Sequence, residues 1–351
     1  MKIDRHRIAD NARLIDALGQ LNELSGGVMT LLVTDETGRM VGTLTDGDVR
    51  RALLRGVGLD APVSDAMFRK FRYLLENEVD PAALRRLRSH SFALIPVLDG
   101  DGHISRIIDT RVTKTILPVS AILMAGGKGE RLRPMTLSTP KPLLKIADKA
   151  IIDYNIEALA AVGVTDITVT VNYLAEQLEE HFSKPVADVS VKCVREDRPL
   201  GTIGSVALVD IPETGDTIVM NSDLLTTISF EDLYLHHRAQ KADITIAAVP
   251  YNVSVPYAIL DTDGECVTAL EEKPSYSYYA NAGIYIFSNE LLHTLSADER
   301  TDATDLIERA IARKKRVCYF PINGTWIDIG SPADFAHARE LMCHLRQTLD
   351  S

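Results

Sequence analysis

The sequence predicts an α/β protein of two unequal units. Three observations predict it: an internal repeat in the first third, an alternation of short β-rich runs with helical stretches from Pro118 onward, and a change of charge balance at the same place. The 351 residues carry 38 Lys and Arg against 49 Asp and Glu, a net charge of −11. Domains typically run to about 100–200 residues, so a chain of this length divides naturally in two, here as residues 1–117 and 118–351. A hydrophobic share of 46% with 25% charged residues matches a packed globular chain and excludes a disordered one. Residues 1–117 hold 17 basic and 16 acidic side chains, whereas 118–351 hold 21 and 33. Net acidity excludes a nucleic-acid binder that works by coating phosphates with Lys and Arg. An acidic unit that handles anionic substrates calls for metal ions.

The repeat lies within Leu31–Asp46 and Leu94–Asp109, where an offset of 64 makes Asp35 meet Asp99, Gly38 meet Gly102 and Met40 meet Ile104. Each copy reads as strand, Asp/Gly turn, strand. Helical patterns precede the hairpins at Ile8–Leu24 and Asp80–Leu87. In the second unit, strand patterns at Val119–Ala125, Ile167–Val171, Thr217–Met220, Asp243–Val249 and Gly283–Phe287 alternate with helical ones at Ile151–Ala161 and Leu174–His181. That alternation predicts a mainly parallel sheet covered by helices, with ligands at the carboxyl ends of the strands.

The remaining bulk features are quickly read. The four cysteines (Cys193, Cys266, Cys318, Cys343) are far apart and lack metal-ligand spacing, which reads as free thiols. The N-terminus mixes acids and bases without an apolar core, so it is not a signal peptide, and the longest uncharged apolar stretch is too short to span a bilayer. The chain is expected to be cytoplasmic, without a membrane partner.

The chemistry-bearing residues begin where the first strand of the second unit ends, in Ala121–Pro134. Gly126, Gly127 and Gly129 leave backbone N–H groups open to phosphate oxygens, and Lys128, Arg131 and Arg133 add cations. The spacing is neither that of a P-loop, since Gly127-Lys128 is followed by Gly129, nor that of a dinucleotide fingerprint, since the third glycine is missing. Taken alone such a loop can be a plain turn. The segment Thr139-Pro140-Lys141-Pro142-Leu143-Leu144 then sets a rigidly held lysine nearby.

The pattern G-G-x-G-x-R-L-x-P followed by P-K-P-L resembles the signature of sugar-1-phosphate nucleotidylyltransferases, and the resemblance extends over nearly all of residues 118–340. PLGTIGS (Pro199–Ser205), NSD (Asn221–Asp223), EEKP (Glu271–Pro274), NAGIYIF (Asn281–Phe287) and WIDIGSPADF (Trp326–Phe335) follow in the family's order. The resemblance implies a Rossmann-like nucleotide-diphospho-sugar transferase domain with a mainly parallel mixed sheet. It implies a reaction in which a sugar-1-phosphate oxygen attacks the α-phosphorus of a nucleoside triphosphate and pyrophosphate leaves, with positioning and charge neutralisation as the protein's task. Mg²⁺ is the implied cofactor, held by Asp223 and Asp328. Arg131 would stabilise the departing pyrophosphate, Lys141 would contact the reacting phosphates, and Lys273 would hold the sugar phosphate. Ala125, Gly126, Gly127, Gly129, Glu196, Pro199, Gly201 and Thr202 would meet the nucleotide. Tyr257, Ala258, Glu272 and Asn281 would face the sugar. Read without the resemblance, Asp223 is a turn residue, Asp328 a helix N-cap, Lys273 a solvated turn lysine and Glu196 a surface charge.

The base is read at one position. Thymidylyl members of the family place Gln five residues before the glycine of PLG; here that residue is Glu196. Guanine presents N1–H and N2–H₂ on one edge, which a carboxylate accepts side by side, so GTP is favoured over other nucleoside triphosphates. Within the family the resemblance is to guanylyltransferases such as those acting on glucosamine-1-phosphate or mannose-1-phosphate, with glucosamine-1-phosphate favoured for a bacterial surface-glycan or nonulosonic-acid pathway. The alternatives are a thymidylyl-, uridylyl- or cytidylyltransferase, or a non-catalytic nucleotide-sensing subunit.

The first unit resembles a tandem pair of cystathionine-β-synthase (CBS) domains over roughly residues 1–115, most clearly at Gly42–Leu54. That resemblance implies a site for an adenine nucleotide at Thr45 and Asp48, and a homo-oligomer. Read bare, the same two residues cap a helix starting at Val49. The second copy has Asp109 and Val112 at these positions.

Overall fold

The computed structural model describes residues 3–76, 81–88, 92–111, 113 and 115–349. The chain forms two compact units, Met1–Leu117 with Ala161–Gly163, and Pro118–Ala160 with Val164–Ser351.

The first unit is built twice on one plan. In the first copy the strand Arg7–Ala9 runs parallel to Thr30–Thr34, which forms a hairpin with Met40–Thr45. In the second, Leu74–Leu75 runs parallel to Leu94–Leu98, which forms a hairpin with Ile104–Asp109. The repeat extends to backbone detail. Both hairpins carry a register shift at the same repeat position, Val33/Thr34 and Val97/Leu98. Asp35 Oδ1 accepts the N–H groups of Thr37 and Arg39 at 2.9 and 3.0 Å, and Asp99 Oδ1 those of Asp101 and His103 at 2.9 and 2.8 Å. These Asx turns explain the Asp/Gly spacing, and they hold both carboxyls below their usual range: Asp35 chiefly through the Thr37 hydroxyl, Asp99 through the His103 N–H.

Two sequence expectations for this unit are corrected. The helical pattern over Ile8–Leu24 is a strand at Arg7–Ala9 followed by a helix at Leu14–Glu23. Ile8 points into the core between exposed neighbours, and the three residues pair with Leu32–Thr34, so the β-sheet claims them. The helix after the first hairpin starts at Asp46 rather than Val49, because Thr45 ends its strand extended and becomes the N-cap. The second helix covers Pro81–Arg88; Asp80 and Val112 lie outside the described residues.

The second unit is organised on a seven-stranded sheet in the order 191–195, 167–171, 119–125, 216–221, 275–288, 244–254, 317–321. Only the 275–288 strand opposes the others, giving the mainly parallel, mixed sheet that the alternation predicts. Ile167–Val171 is buried at every position, as expected of a strand covered on both faces. The register fixes where the chemistry falls. Val171 pairs with Ala125, and Asn221 with Met124, so three neighbouring strands end level. Their following loops, at Gly126, Asn172 and Ser222, therefore open side by side.

Beyond the sheet, the 244–254 and 275–288 strands continue together as a two-stranded ribbon. It leads into a second hairpin, Ile259–Asp263 with Cys266–Glu271, whose residues are almost all exposed. One face of the ribbon pairs Tyr251 with Tyr278 and Val253 with Tyr276; the other pairs Asn252 with Ser277 and Ser254 with Ser275.

The capping of the helix at Asp46–Leu54 generates a stability prediction. The Thr45 hydroxyl sits 2.6 Å from Asp48 Oδ2 and accepts the Asp48 N–H at 3.3 Å, while the Thr45 N–H donates to Asp48 Oδ2 at 2.9 Å. Thr45→Ala is expected to cost about 1 kcal/mol in the urea unfolding transition of the first unit; an unchanged midpoint would show the box to be dispensable.

Candidate active site

The level strand ends create the site. Ala125 hands over to Gly126, where a Cβ would stand 2.7 Å from Glu196 Oε1 and 3.3 Å from Asn172 Cβ. Only a glycine lets the loop pass beneath the Glu196 carboxyl. Around this point opens a cavity of about 830 Å³. Ala125, Gly126, Gly127, Gly129, Glu196, Pro199, Gly201 and Thr202 all line it, as do Arg131, Lys141 and Asp223. Residues as far apart in the chain as Met124 and Gly330 are thus brought to one concave surface.

One end of the cavity is ionic. A two-stranded ribbon pairs Leu224–Thr226 with Trp326–Asp328, setting Leu224 opposite Asp328. The Ile329 N–H donates to the Asp223 carbonyl at 3.2 Å, so the two acids are held as neighbours. Lys141, buried in the short turn Lys141–Leu143, forms an ion pair with Asp223 and lies 3.7 Å from Asp328 Oδ1. Burial and then the neighbouring Asp223 charge push the Asp328 carboxyl above its usual range, against the pull of Lys141 and Arg131. Arg131 packs against Gly330, where a Cβ would meet its guanidinium nitrogen at 2.9 Å. Two hard carboxylates already seating one cation, with Asp223 lining the cavity and Asp328 behind it, suit a divalent ion of the Mg²⁺ kind, which takes its remaining oxygens from phosphate and water.

The other end is organised by Glu196. It is 6% exposed, and its Oε2 accepts the Leu200 N–H at 3.1 Å. Asn172 Nδ2 holds its carbonyl at 3.0 Å. Burial raises the carboxyl above the ordinary Glu range, with the Leu200 N–H acting in the opposite direction. Glu196 is therefore not the surface charge that its neighbours in REDRP allow. The PLGT loop docks on the helix Ala303–Ala312. The Thr301 N–H donates to the Leu200 carbonyl at 2.8 Å, the Thr202 N–H to Asp302 Oδ1 at 2.9 Å, and the Ala303 N–H to Thr202 Oγ1 at 2.8 Å. Arg300 and Asp302 line the cavity here, and sequence reasoning missed them. The available signal was an Asp302-x-x-Asp305 capping pattern, which the structure forms as a capping box.

The residues expected at the sugar stand apart from this cavity. Tyr257, Glu272 and Lys273 are exposed on the projecting ribbon and its hairpin, and Ala258 is partly exposed there. None of them lines the cavity, nor does Asn281, whose Oδ1 accepts the Gly283 N–H at 2.9 Å. Trp326 donates its indole N–H to the Ala282 carbonyl at 2.9 Å, a packing role. Cys193, Cys266, Cys318 and Cys343 are free, with burial pushing the Cys193 thiol up to about 11. No described helix is long and apolar enough to cross a membrane.

Comparison with known proteins adds to this geometry. A family model described as nucleotidyl transferase matches residues 120–344, and one described as CBS domain matches residues 6–55. The chain is 34% identical over 224 residues to the mannose-1-phosphate guanylyltransferase catalytic subunit beta of Drosophila pseudoobscura pseudoobscura, covering 61% of this chain and 60% of that one. It is likewise 34% identical over 227 residues to a mannose-1-phosphate guanyltransferase of Schizosaccharomyces pombe, covering 62% of each. The chain thus spans about 60% of the length of these relatives. Among solved structures, a Bacillus anthracis protein assigned as a glucose-1-phosphate thymidylyltransferase superposes with a TM-score of 0.50 at 21% identity, covering 64% of this chain and 94% of that one, a likeness of fold.

The docking of the PLGT loop is testable. Gly201 has φ +88°, and a Cβ there would lie 2.5 Å from the Thr301 carbonyl oxygen. Gly201→Ala is expected to lower the stability of the second unit by about 1–3 kcal/mol, read by chemical denaturation. A neutral effect would show that the loop adapts freely.

Proposed function

Because the chain belongs to the nucleotidyl transferase family, we propose that it is a Mg²⁺-dependent guanylyltransferase that joins GTP and a hexose-1-phosphate into a GDP-sugar with release of pyrophosphate. The observation that carries this reading is the two-ended cavity: a buried carboxylate, Glu196, at one end, and Arg131, Lys141 and Asp223 at the other. Glu196 would accept N1–H and N2–H₂ of guanine, and its hydrogen bond from Leu200 fixes the carboxyl plane for that task. The backbone of Gly126, Gly127 and Gly129 would follow the triphosphate.

In the reaction an oxygen of the sugar phosphate bonds to the α-phosphorus while the bond from that phosphorus to the pyrophosphate oxygen breaks in line. No protein group need become covalently attached. Arg131 offsets charge growing on the departing pyrophosphate, and Lys141 holds the phosphates against the carboxylate pair. Asp223 and Asp328 would hold the Mg²⁺ ion, which when bound neutralises phosphate charge. Lys273, with Tyr257, Ala258, Glu272 and Asn281, would bind the sugar phosphate, as the family resemblance implies. Glucosamine-1-phosphate is the favoured sugar from sequence, and mannose-1-phosphate is the one named in the relatives. The protein would act in the cytoplasm.

The ribbon's exposed apolar face, with Tyr251 at 62% and Tyr278 at 58% exposure, supports a homo-oligomer, since a lone two-stranded ribbon is marginal in water. In the first unit, Thr45 and Asp48 would contact the ribose of an adenine nucleotide as well as capping their helix.

Pyrophosphate release tests the reading, with GTP, ATP, dTTP, UTP and CTP each offered with glucosamine-1-phosphate and mannose-1-phosphate. GTP should be turned over fastest, and faster turnover of a pyrimidine nucleotide would sink the base assignment. Arg131→Ala should lower turnover by about 10²-fold or more, and near-native turnover would remove Arg131 from its role. Acidification should raise KM for GTP at a pH above the ordinary Glu range, because the raised pKa of Glu196 neutralises the base acceptor early. Glu196→Gln should abolish that limb. Calorimetry of the full chain with AMP, against its Thr45→Ala variant, tests the adenine site: heat lost in the variant supports it, and no heat in either removes it.

A further inference from the structure

Glu196 reads one edge of guanine and leaves the next edge open. That edge presents O6 and N7, both acceptors, which a carboxylate cannot serve and an arginine fork can. The cations lining the cavity, among the described residues, are Arg131, Lys141 and Arg300. Arg131 and Lys141 belong to the carboxylate pair at the phosphate end. Arg300 belongs to the Glu196 end, joined to it by two consecutive hydrogen bonds. Leu200 donates its N–H to Glu196 at 3.1 Å and accepts the Thr301 N–H at 2.8 Å, and Arg300 is the residue before Thr301.

The root of Arg300 is fixed, and its tip is held by a single exposed ion pair among the described residues. Thr301 is 1% exposed, and its carbonyl accepts the N–H groups of Ile203 and Gly204, each at 3.1 Å. The guanidinium itself has one contact at ion-pair distance, Asp302 at 3.6 Å, with side chains 72% and 37% exposed. Such an exposed pair restrains little, so the fork can turn to a ligand.

Resting on the GTP reading above, we propose that Arg300 is a specificity-determining residue that donates to O6 and N7 of guanine while Glu196 accepts from N1 and N2. The two side chains form a complementary pair. Adenine spoils one partner at each contact: it keeps N7, but offers the N6 amino group where Arg300 needs a second acceptor and bare N1 where Glu196 needs a donor.

The test measures kcat/KM for GTP, ITP, 7-deaza-GTP and ATP in the wild-type chain, Arg300→Ala and Arg300→Lys, with a fixed sugar-1-phosphate. Wild type should favour GTP over 7-deaza-GTP by roughly 10-fold, and Arg300→Ala should lose about 10- to 100-fold on GTP, chiefly in KM. The GTP to 7-deaza-GTP preference should collapse in Arg300→Ala, while the preference for GTP over ITP, which depends on N2 and Glu196, survives. Arg300→Lys should fall between. An equal loss for every nucleotide would put Arg300 on ribose or phosphate and overturn the proposal, as would an unchanged 7-deaza ratio. A wild-type enzyme that prefers a pyrimidine nucleotide would instead fail the GTP reading itself.

Discussion

The second unit depends on one buried charge. Lys141 places its ammonium between Asp223 and Asp328, two acids from distant parts of the chain. A cation away from water must be paired, and two adjacent carboxylates repel unless something sits between them. Much local structure follows. The prolines on both sides of Lys141 hold its turn, and the 224–226 and 326–328 strands pair so that both acids arrive together. Under the function proposed above, the oxygens that seat Lys141 would also be the ones offered to a phosphate-bound cation.

The opposite end of the cavity solves a different problem with the same economy. Glu196 is buried, with one oxygen toward the loop at Gly126 and the other accepting the Leu200 N–H. Through Leu200 its position is coupled to the 301–303 segment and so to the start of a helix. The wall that would select the base is thus anchored independently of the ionic end.

Much of this was legible in the sequence, for identifiable reasons. Gly126, Gly127, Gly129, Lys141 and the PLGT loop are local patterns whose backbone demands show in residue type, and they share one cavity. Glu196 was legible through its spacing from Gly201, although its burial was not. Thr45 and Asp48 illustrate an ambiguity that sequence cannot break: the residues that would touch a ribose are the ones that cap a helix, and here they bond each other. Ile8 misled because a short buried strand and the start of an amphipathic helix present the same apolar residue. Arg300 was invisible because its neighbour Asp302 announces a helix cap and nothing announces the cavity beside it. The ribbon and the hairpin beside Glu272 and Lys273 were not legible: the strand patterns stop at Val249 and resume at Gly283, while the structure continues them to Ser254 and back to Ser275, because pairing beyond the sheet is a non-local fact.

The central claim, that Lys141 is the counter-ion on which the carboxylate pair depends, is tested most directly by a double-mutant cycle on stability. Lys141→Met, Asp328→Asn and the combined variant would be unfolded in urea at neutral pH. Removing Lys141 alone should destabilise the second unit, and adding Asp328→Asn to it should restore part of the loss, because one of two facing charges is gone. Costs that simply add, with Asp328→Asn no more favourable without Lys141 than with it, would contradict the account.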